Sequence, residues 1–224
     1  GRLLHEERLA AGARRVGTKL GFTNQKVWSQ RGLSTPFWSP IYDTTVTDTR
    51  SVSLTRMVQP RIEPEIMLGF HADLRAGASA AEISAAIRWA ATGFEIVQCH
   101  YPRWDLTPAD AVADAGLHAI LVVGERVEIN AADASALADV EVELWRDQTL
   151  VSRGRGSNAL GGPVQAIAWL LRLPGVDGLP AGDIVTTGTL TAAHPLAPRE
   201  RWRLAATGGP RLYDLTLRVD TAEN

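Results

Sequence analysis

The sequence predicts a mixed α+β fold, mostly β, in a chain of 224 residues. Three observations lead there. Short apolar and β-branched runs fill most of the chain; only a few stretches have helical composition; and no repeat, low-complexity tract or Gly/Ser linker divides them.

Residues 2–15 read as a helix, because Leu, Ala, Glu and Arg dominate and Leu3, Leu4 and Leu9 fall near one face. Residues 16–22 read as a strand that places Lys19 between two glycines. Residues 24–31 read as a short helix capped by Asn24, and 32–40 as a loop punctuated by Pro36 and Pro40. The Thr/Val-rich stretch 44–54 and the run 60–68 read as strands. Residues 79–91 read as a helix. Ser79 and Glu82 stand at the spacing of a capping box, and Ile83 and Ile87 form an apolar stripe. Residues 94–97 read as the next strand and 105–116 as partly helical. Strands follow at 118–124 and 139–151, then a helix at 163–172 with Pro163 in its first turn. The remainder, 183–187, 201–206 and 211–219, reads as strand, with a turn at Gly208-Gly209-Pro210.

Composition removes several function classes. A formal net charge of -2 speaks against a nucleic-acid binder, which carries a basic excess. There is no run of about 18 apolar residues to span a membrane. One cysteine, Cys99, forms no intramolecular disulfide and fits a reducing, cytoplasmic setting.

The chemistry lies in the acids. Glu63 and Glu65 are two apart, so on a strand they share one face. Ile62, Ile66, Met67 and Leu68 indicate that this strand is at least half buried. Two carboxylates held together there repel, and burial of an uncompensated charge costs several kcal/mol. A divalent cation relieves both, and hard oxygen ligands suit magnesium or manganese. Pro64 lacks an N–H and so belongs at a strand edge or bulge. The same spacing also fits an exposed edge strand with two solvated acids. Glu95 opens a later apolar strand, where a strand-end charge or salt-bridge partner is the ordinary reading. Spacing alone does not bring it to the other two.

Taken in order, several segments resemble the 2-keto-4-pentenoate hydratase/4-oxalocrotonate decarboxylase branch of the fumarylacetoacetate hydrolase superfamily. Gly17–Thr23 resembles its G-x-K-x-G-x-T segment, Glu63-Pro64-Glu65 its E-x-E metal motif, and Phe94–Val97 the segment with the third metal carboxylate. Asp110–Asp114 is similar to D-x-V-A-D, Leu160–Pro163 to the L-G-x-P helix start, and Ala181–Thr191 to A-G-D-x-V-x-T-G-S-x-T. The resemblance implies a distorted β-barrel or roll with peripheral helices. It implies residues 1–224 as a single catalytic domain, with 1–40 a trimmed N-terminal helical cap region. It also implies a Mg2+ or Mn2+ ion held by Glu63, Glu65 and Glu95, and a homo-oligomer that can associate with a related decarboxylase or hydratase. The chain departs from the pattern at Gln98-Cys99-His100, at Thr189 and at Ala192-Ala193.

The resemblance makes a small 2-oxo acid the substrate. The expected reaction is addition of water to a 2-hydroxy-2,4-dienoate to give a 4-hydroxy-2-oxo acid. The alternatives are a 2-oxo-acid decarboxylase, a C–C hydrolase on the same site, or a non-catalytic partner subunit. Lys19 is the expected substrate-binding and proton-transfer residue; Asp110 and Asp114 are candidates for proton transfer or for positioning water. Thr189, Thr191 and His100 are candidates for substrate contact. Each has an ordinary reading too: a strand lysine, helix caps, turn hydroxyls. His71, His118 and His194 read as structural, His5 does not match a hydrolase lid, and Cys99 reads as a buried thiol. Trp38 and Trp104 are candidate pocket walls. The metal reading requires Glu95 to reach the pair and no lysine or arginine to fill the space between the acids.

Overall fold

The structure, a computed structural model, describes residues 1–221, the side chains of 27, 30 and 31 excepted; positions 222–224 lie outside the described residues. Helix α1 (Arg2–Ala10) leads into β1 (Arg15–Gly21). A 3-10 turn (Gln25–Val27) and the one-turn helix α2 (Trp28–Arg31) start at Asn24, whose side chain accepts the Lys26 N–H. Then come β2 (Phe37–Tyr42), β3 (Val46–Thr47), β4 (Ser51–Val52), β5 (Arg61–Phe70), β6 (Leu74–Arg75), α3 (Ala80–Ala86), β7 (Ile87–Val97), α4 (Pro108–Ala113) and β8 (His118–Val123). The chain continues through β9 (Val127–Glu128), α5 (Ala131–Ala136), the hairpin β10 (Glu141–Arg146) and β11 (Thr149–Arg155), and α6 (Pro163–Leu170). It ends in β12 (Gly178–Leu179), β13 (Ile184–Thr186), β14 (His194–Pro195), β15 (Arg201–Thr207) and β16 (Leu215–Val219).

A nine-stranded sheet runs β2-β1-β13-β5-β7-β8-β3, with β14 added to β5 and β9 to β7. A five-stranded sheet runs β11-β10-β15-β16-β4. The main core fills the space between the sheets and helices. Ile62, Ile66 and Leu68 of β5 point into it, as do Phe94 and Ile96 of β7, Ile167 of α6 and Trp202 of β15. The opposite face of the large sheet curls on itself, and its buried apolar part is Ile41, Met67, Ala91, Leu121, Val123 and Ile184. Alternation along β5 therefore sends its isoleucines one way and its glutamates the other.

Several boundaries differ from the sequence expectation. The N-terminal helix stops at Ala10, because Gly12 takes a left-handed φ of 91° and Arg15 already pairs in the sheet. Its leucine face is not core: Leu3 and Leu9 are exposed. Residues 37–40, expected as loop, belong to a strand that runs to Tyr42. Phe37, Trp38, Ile41 and Tyr42 favour it, and Pro40 is tolerated because β2 is the sheet's edge. The helix expected to reach 91 ends at Ala86, where pairing of β7 with β5 claims Ile87, Trp89 and Ala90. Its capping box is present as expected. Helix α5, with its own Asn130 cap, was not expected.

Pro64 is not at an edge. It lies in the middle of β5, opposite Phe94, at the gap where β13 has ended and β14 has not begun. Its carbonyl accepts the Leu190 N–H at 2.9 Å. The missing donor faces that same gap, so no ladder bond is lost.

Candidate metal centre

The register of β5 against β7 sets Glu63 directly across from Glu95 and Glu65 across from Gly93. One carboxylate oxygen from each glutamate lies within 4.8 Å of the other two. Glu65 and Glu95 are fully buried, and Glu63 is partly exposed. The acids that sequence spacing leaves apart are thus joined by one strand pair.

Two further strands complete the site. Lys19 of β1 is 2% exposed and in register with Thr186 of β13, which is in register with Met67 of β5. Its Nζ donates to Glu95 Oε1 at 3.1 Å and stands 5.6 Å from the Phe37 ring centre. The loop after β13 supplies Gly188, whose N–H donates to Glu65 Oε2 at 2.8 Å. Gly188 has a φ of 106°, and a Cβ there would lie 2.0 Å from Thr23 Oγ1. Only glycine permits this close approach.

Lys19 binds Oε1 of Glu95, while Glu95 Oε2 and Glu65 Oε1 are buried without a hydrogen-bond partner. Buried oxygens in that condition cost about 1–3 kcal/mol each. A cation held by the three carboxylates would satisfy them. Three carboxylates and one ammonium leave a formal double negative charge, which one divalent ion cancels. The donors are all oxygens, so the residues fit a hard divalent cation such as Mg2+, Mn2+ or Ca2+ better than zinc.

The electrostatics agree. Burial, reinforced by the Glu95 and Glu63 charges, raises the Glu65 carboxyl well above its ordinary range. Burial also raises Glu63 to about 7; Lys19 opposes this and Glu95 adds to it. For Glu95 burial acts upward too, but Lys19 and His118 together outweigh it and hold the group below the ordinary range. Burial acts to lower Lys19, and the three glutamates reverse it, so the lysine is held as ammonium.

The remaining predicted residues are placed differently. Thr189 Oγ1 donates to the Thr191 carbonyl at 3.1 Å and Thr191 Oγ1 to the Ala192 carbonyl at 2.9 Å, so both hydroxyls serve their own turn, one step beyond Gly188. Asp110 completes a capping box on α4, accepting the Thr107 N–H at 2.8 Å and the Thr107 hydroxyl at 2.7 Å. Asp114 accepts the His100 N–H at 3.0 Å and lies 2.6 Å from His100 Nδ1, and the His100 side chain is 55% exposed. Neither aspartate joins the three-glutamate group. Trp104 stacks under the Arg61 guanidinium and Trp38 bonds the Pro174 carbonyl. Cys99 is a buried free thiol. His5 bonds Tyr42, and His71 bonds the Ala85 carbonyl. An apolar groove of about 520 Å³ along β2, lined by His5, Arg8, Phe37 and Trp38 among others, does not include the acids.

Sequence reasoning passed over three contributors. His118 is buried and places Nδ1 2.8 Å from Glu95 Oε1. Its signal was a histidine opening an all-apolar strand, a buried polar group in need of a partner. Thr23 and Thr186 are buried, and the Thr186 hydroxyl bears on the Glu65 carboxyl, acting to lower its pKa against the effect of burial. Thr23 is beside Gly188, and Thr186 is on the acids' face of the sheet. Nothing in the sequence separates them from ordinary strand threonines.

A curled, mostly β sheet carries a cluster of three carboxylates that could hold a metal ion. The chain belongs to the fumarylacetoacetate hydrolase family: the family model "Fumarylacetoacetate (FAA) hydrolase C-terminal" matches residues 10–213. It is 33% identical over 205 residues to 2-keto-4-pentenoate hydratase 1 of Dechloromonas aromatica (strain RCB), covering 89% of this chain and 77% of that one. It is 36% identical over 188 residues to 2-keto-4-pentenoate hydratase of Paraburkholderia phymatum (82% and 71%). A 4-oxalocrotonate decarboxylase of Pseudomonas putida G7, complexed with magnesium and adipate, superposes with a TM-score of 0.87 at 26% identity, over 96% of this chain and 82% of that one. Among the described residues no helix is long and apolar enough to cross a membrane.

Proposed function

We propose that this chain is a metal-dependent lyase that adds water to a 2-hydroxy-2,4-dienoate, giving a 4-hydroxy-2-oxo acid. The observation that carries this reading is the pair of unpartnered buried oxygens on Glu65 and Glu95, grouped with Glu63 beside a buried lysine. Relatives that are 33% and 36% identical and named hydratases support the reaction type.

Glu63, Glu65 and Glu95 would hold Mg2+ or Mn2+. When bound, such an ion supplies Lewis-acid stabilisation of negative charge developing on the ketone oxygen of a 2-oxo acid. The chain's own residues do the rest. Lys19, held as ammonium by Glu95, pairs with the substrate's negative oxygens and delivers a proton rather than removing one. Burial of Lys19 and the acids keeps bulk water from screening these charges. Thr189 and Thr191, in the turn beyond Gly188, would offer hydroxyls to the substrate carboxylate by releasing the turn carbonyls they now bond. The His100–Asp114 pair is the candidate for positioning the attacking water, whereas Asp110 is committed to the α4 capping box. A reducing compartment and association with copies of the chain belong to the same reading.

A second reading is favoured by the 0.87 superposition on a decarboxylase. Incubating the protein with a 2-hydroxydienoate and magnesium separates the two. Hydration bleaches the conjugated ultraviolet absorbance without carbon dioxide release. Carbon dioxide from a 4-oxalocrotonate-type substrate, with no bleaching of the dienoate, would sink the hydratase proposal.

A further inference from the structure

Glu95 is held differently from its two partners. Both of its outside contacts converge on one oxygen: Lys19 Nζ at 3.1 Å and His118 Nδ1 at 2.8 Å from Oε1. The other oxygen, Oε2, is buried and bare. A glutamate's terminal torsion is broad, so a single donor leaves the carboxylate free to turn. Two donors from β1 and β8, reaching it from separate strands, fix which oxygen faces Glu63 and Glu65.

His118 reaches Glu95 because of a register shift. Glu95 pairs with Leu121 and Ile96 with Ile120, but Val97 pairs with His118, skipping Ala119. Without that bulge Ala119 would share the face of Glu95 and His118 would point away, since a one-residue slip exchanges the faces. The bulge re-aims the imidazole toward the acids, a common use of bulges beside sites. The ring is locked at its far side as well. Nε2 lies 3.0 Å from Thr45 Oγ1, which itself stands 2.9 Å from the Tyr42 carbonyl. The His118 side chain is 1% exposed.

We propose that His118 is a positioning residue for the cation. Through its bond to Oε1 and its anchor on Thr45, it presents Oε2 of Glu95 to the ion. The inference rests on the metal reading above and goes beyond it in assigning the orientation of Glu95 to the bulged β8. Nδ1 faces a carboxylate, which only accepts, so the donated proton is on Nδ1.

Manganese titrated calorimetrically into metal-free protein, with no substrate present, tests this. His118→Leu removes the donor and should weaken Mn2+ affinity about ten- to a hundredfold, the usual effect of losing a group that orients a ligand. His118→Asn keeps an N–H donor near the Nδ1 position and should recover affinity to within about threefold of wild type. Melting of the metal-free proteins is recorded alongside. Leu and Asn variants that lose stability equally and bind Mn2+ equally would show the imidazole to be a packing group and overturn the proposal. So would a Leu variant with wild-type affinity. If His118→Leu does not fold, Thr45→Val loosens the ring from its far side and should weaken binding severalfold; unchanged affinity there overturns the proposal too. Wild-type protein that takes up no Mn2+ overturns this inference and the metal reading together. Wild-type uptake matched by the variant overturns this inference alone.

Discussion

Two groups of acids lie near the end of β7, and the chain handles them in opposite ways. Asp110 and Asp114 are saturated from within: the first accepts two donors from Thr107, the second two from His100. Glu65 and Glu95 are deeper, yet each keeps one oxygen with no partner. Burial without a partner is the costly arrangement, and the part-buried, satisfied one is cheap. A fold that spends its donors on part-buried aspartates while leaving interior glutamates bare leaves those oxygens available to a ligand. The difference teaches that, for acids, unmet demand marks a site better than local density does.

The strongest way to break this comparison is to remove the bare acid. Glu65→Gln keeps the shape and deletes a ligand charge. Hydration activity should fall about a thousandfold, equivalent to about 4 kcal/mol of transition-state stabilisation. Calorimetric Mn2+ uptake should fall with it, while the metal-free protein melts no lower than wild type. Its neighbour gives the control. Ile66 is fully buried on the opposite face of the same strand. Ile66→Ala should lower stability by about 2–5 kcal/mol in denaturant titration. Metal affinity of the folded protein should stay unchanged, and loss of Mn2+ binding in this variant would show that the two faces of β5 are not separable. Lys19→Met should lower kcat/KM about a hundredfold, and it leaves Glu95 with His118 as its remaining outside donor.

Glu63 and Glu65 were visible in the sequence because a strand's two-residue period is local. Glu95 was not placed by any local rule: its meeting with Glu63 is set by the antiparallel register of β5 and β7, which is a property of the whole sheet. The ordered motifs supplied what periodicity lacked. The same gap explains the misplaced boundaries. Residues 87–91 have helical composition, but cross-strand pairing overrides weak propensity there, and Phe37–Tyr42 becomes strand although Pro40 reads as a break. His118 was read as structural because a bulge decides which way it points, and a bulge leaves no trace in composition.

Acidity sharpens the comparison further. The Glu63 carboxyl is raised to about 7, first by burial, against Lys19 and with Glu95. A carboxyl raised in the folded state stabilises the metal-free protein at low pH, and that contribution is lost as pH climbs from the ordinary carboxylate range through about 7. The melting temperature of metal-free protein should therefore drop over that window. Metal binding should move the opposite way, because the ligands must be ionised and the bound form releases protons. Mn2+ affinity should rise by about tenfold from pH 6 to pH 7.5. A flat affinity profile over that range would contradict the raised Glu63.

The smallest effect is expected where the acid is already satisfied. Asp110 is the third residue of α4, and its carboxylate returns to the N–H and hydroxyl of Thr107. Asp110→Ala removes half of that box and should cost about 1 kcal/mol in denaturant titration, the usual loss for a helix cap. Since the carboxylate faces its own helix end and not the glutamates, kcat should hold within about twofold, well short of the hundredfold or more that loss of a proton-transfer group brings. Activity that collapses in Asp110→Ala while stability barely moves would return this aspartate to the chemistry and erase the contrast between the two acid groups.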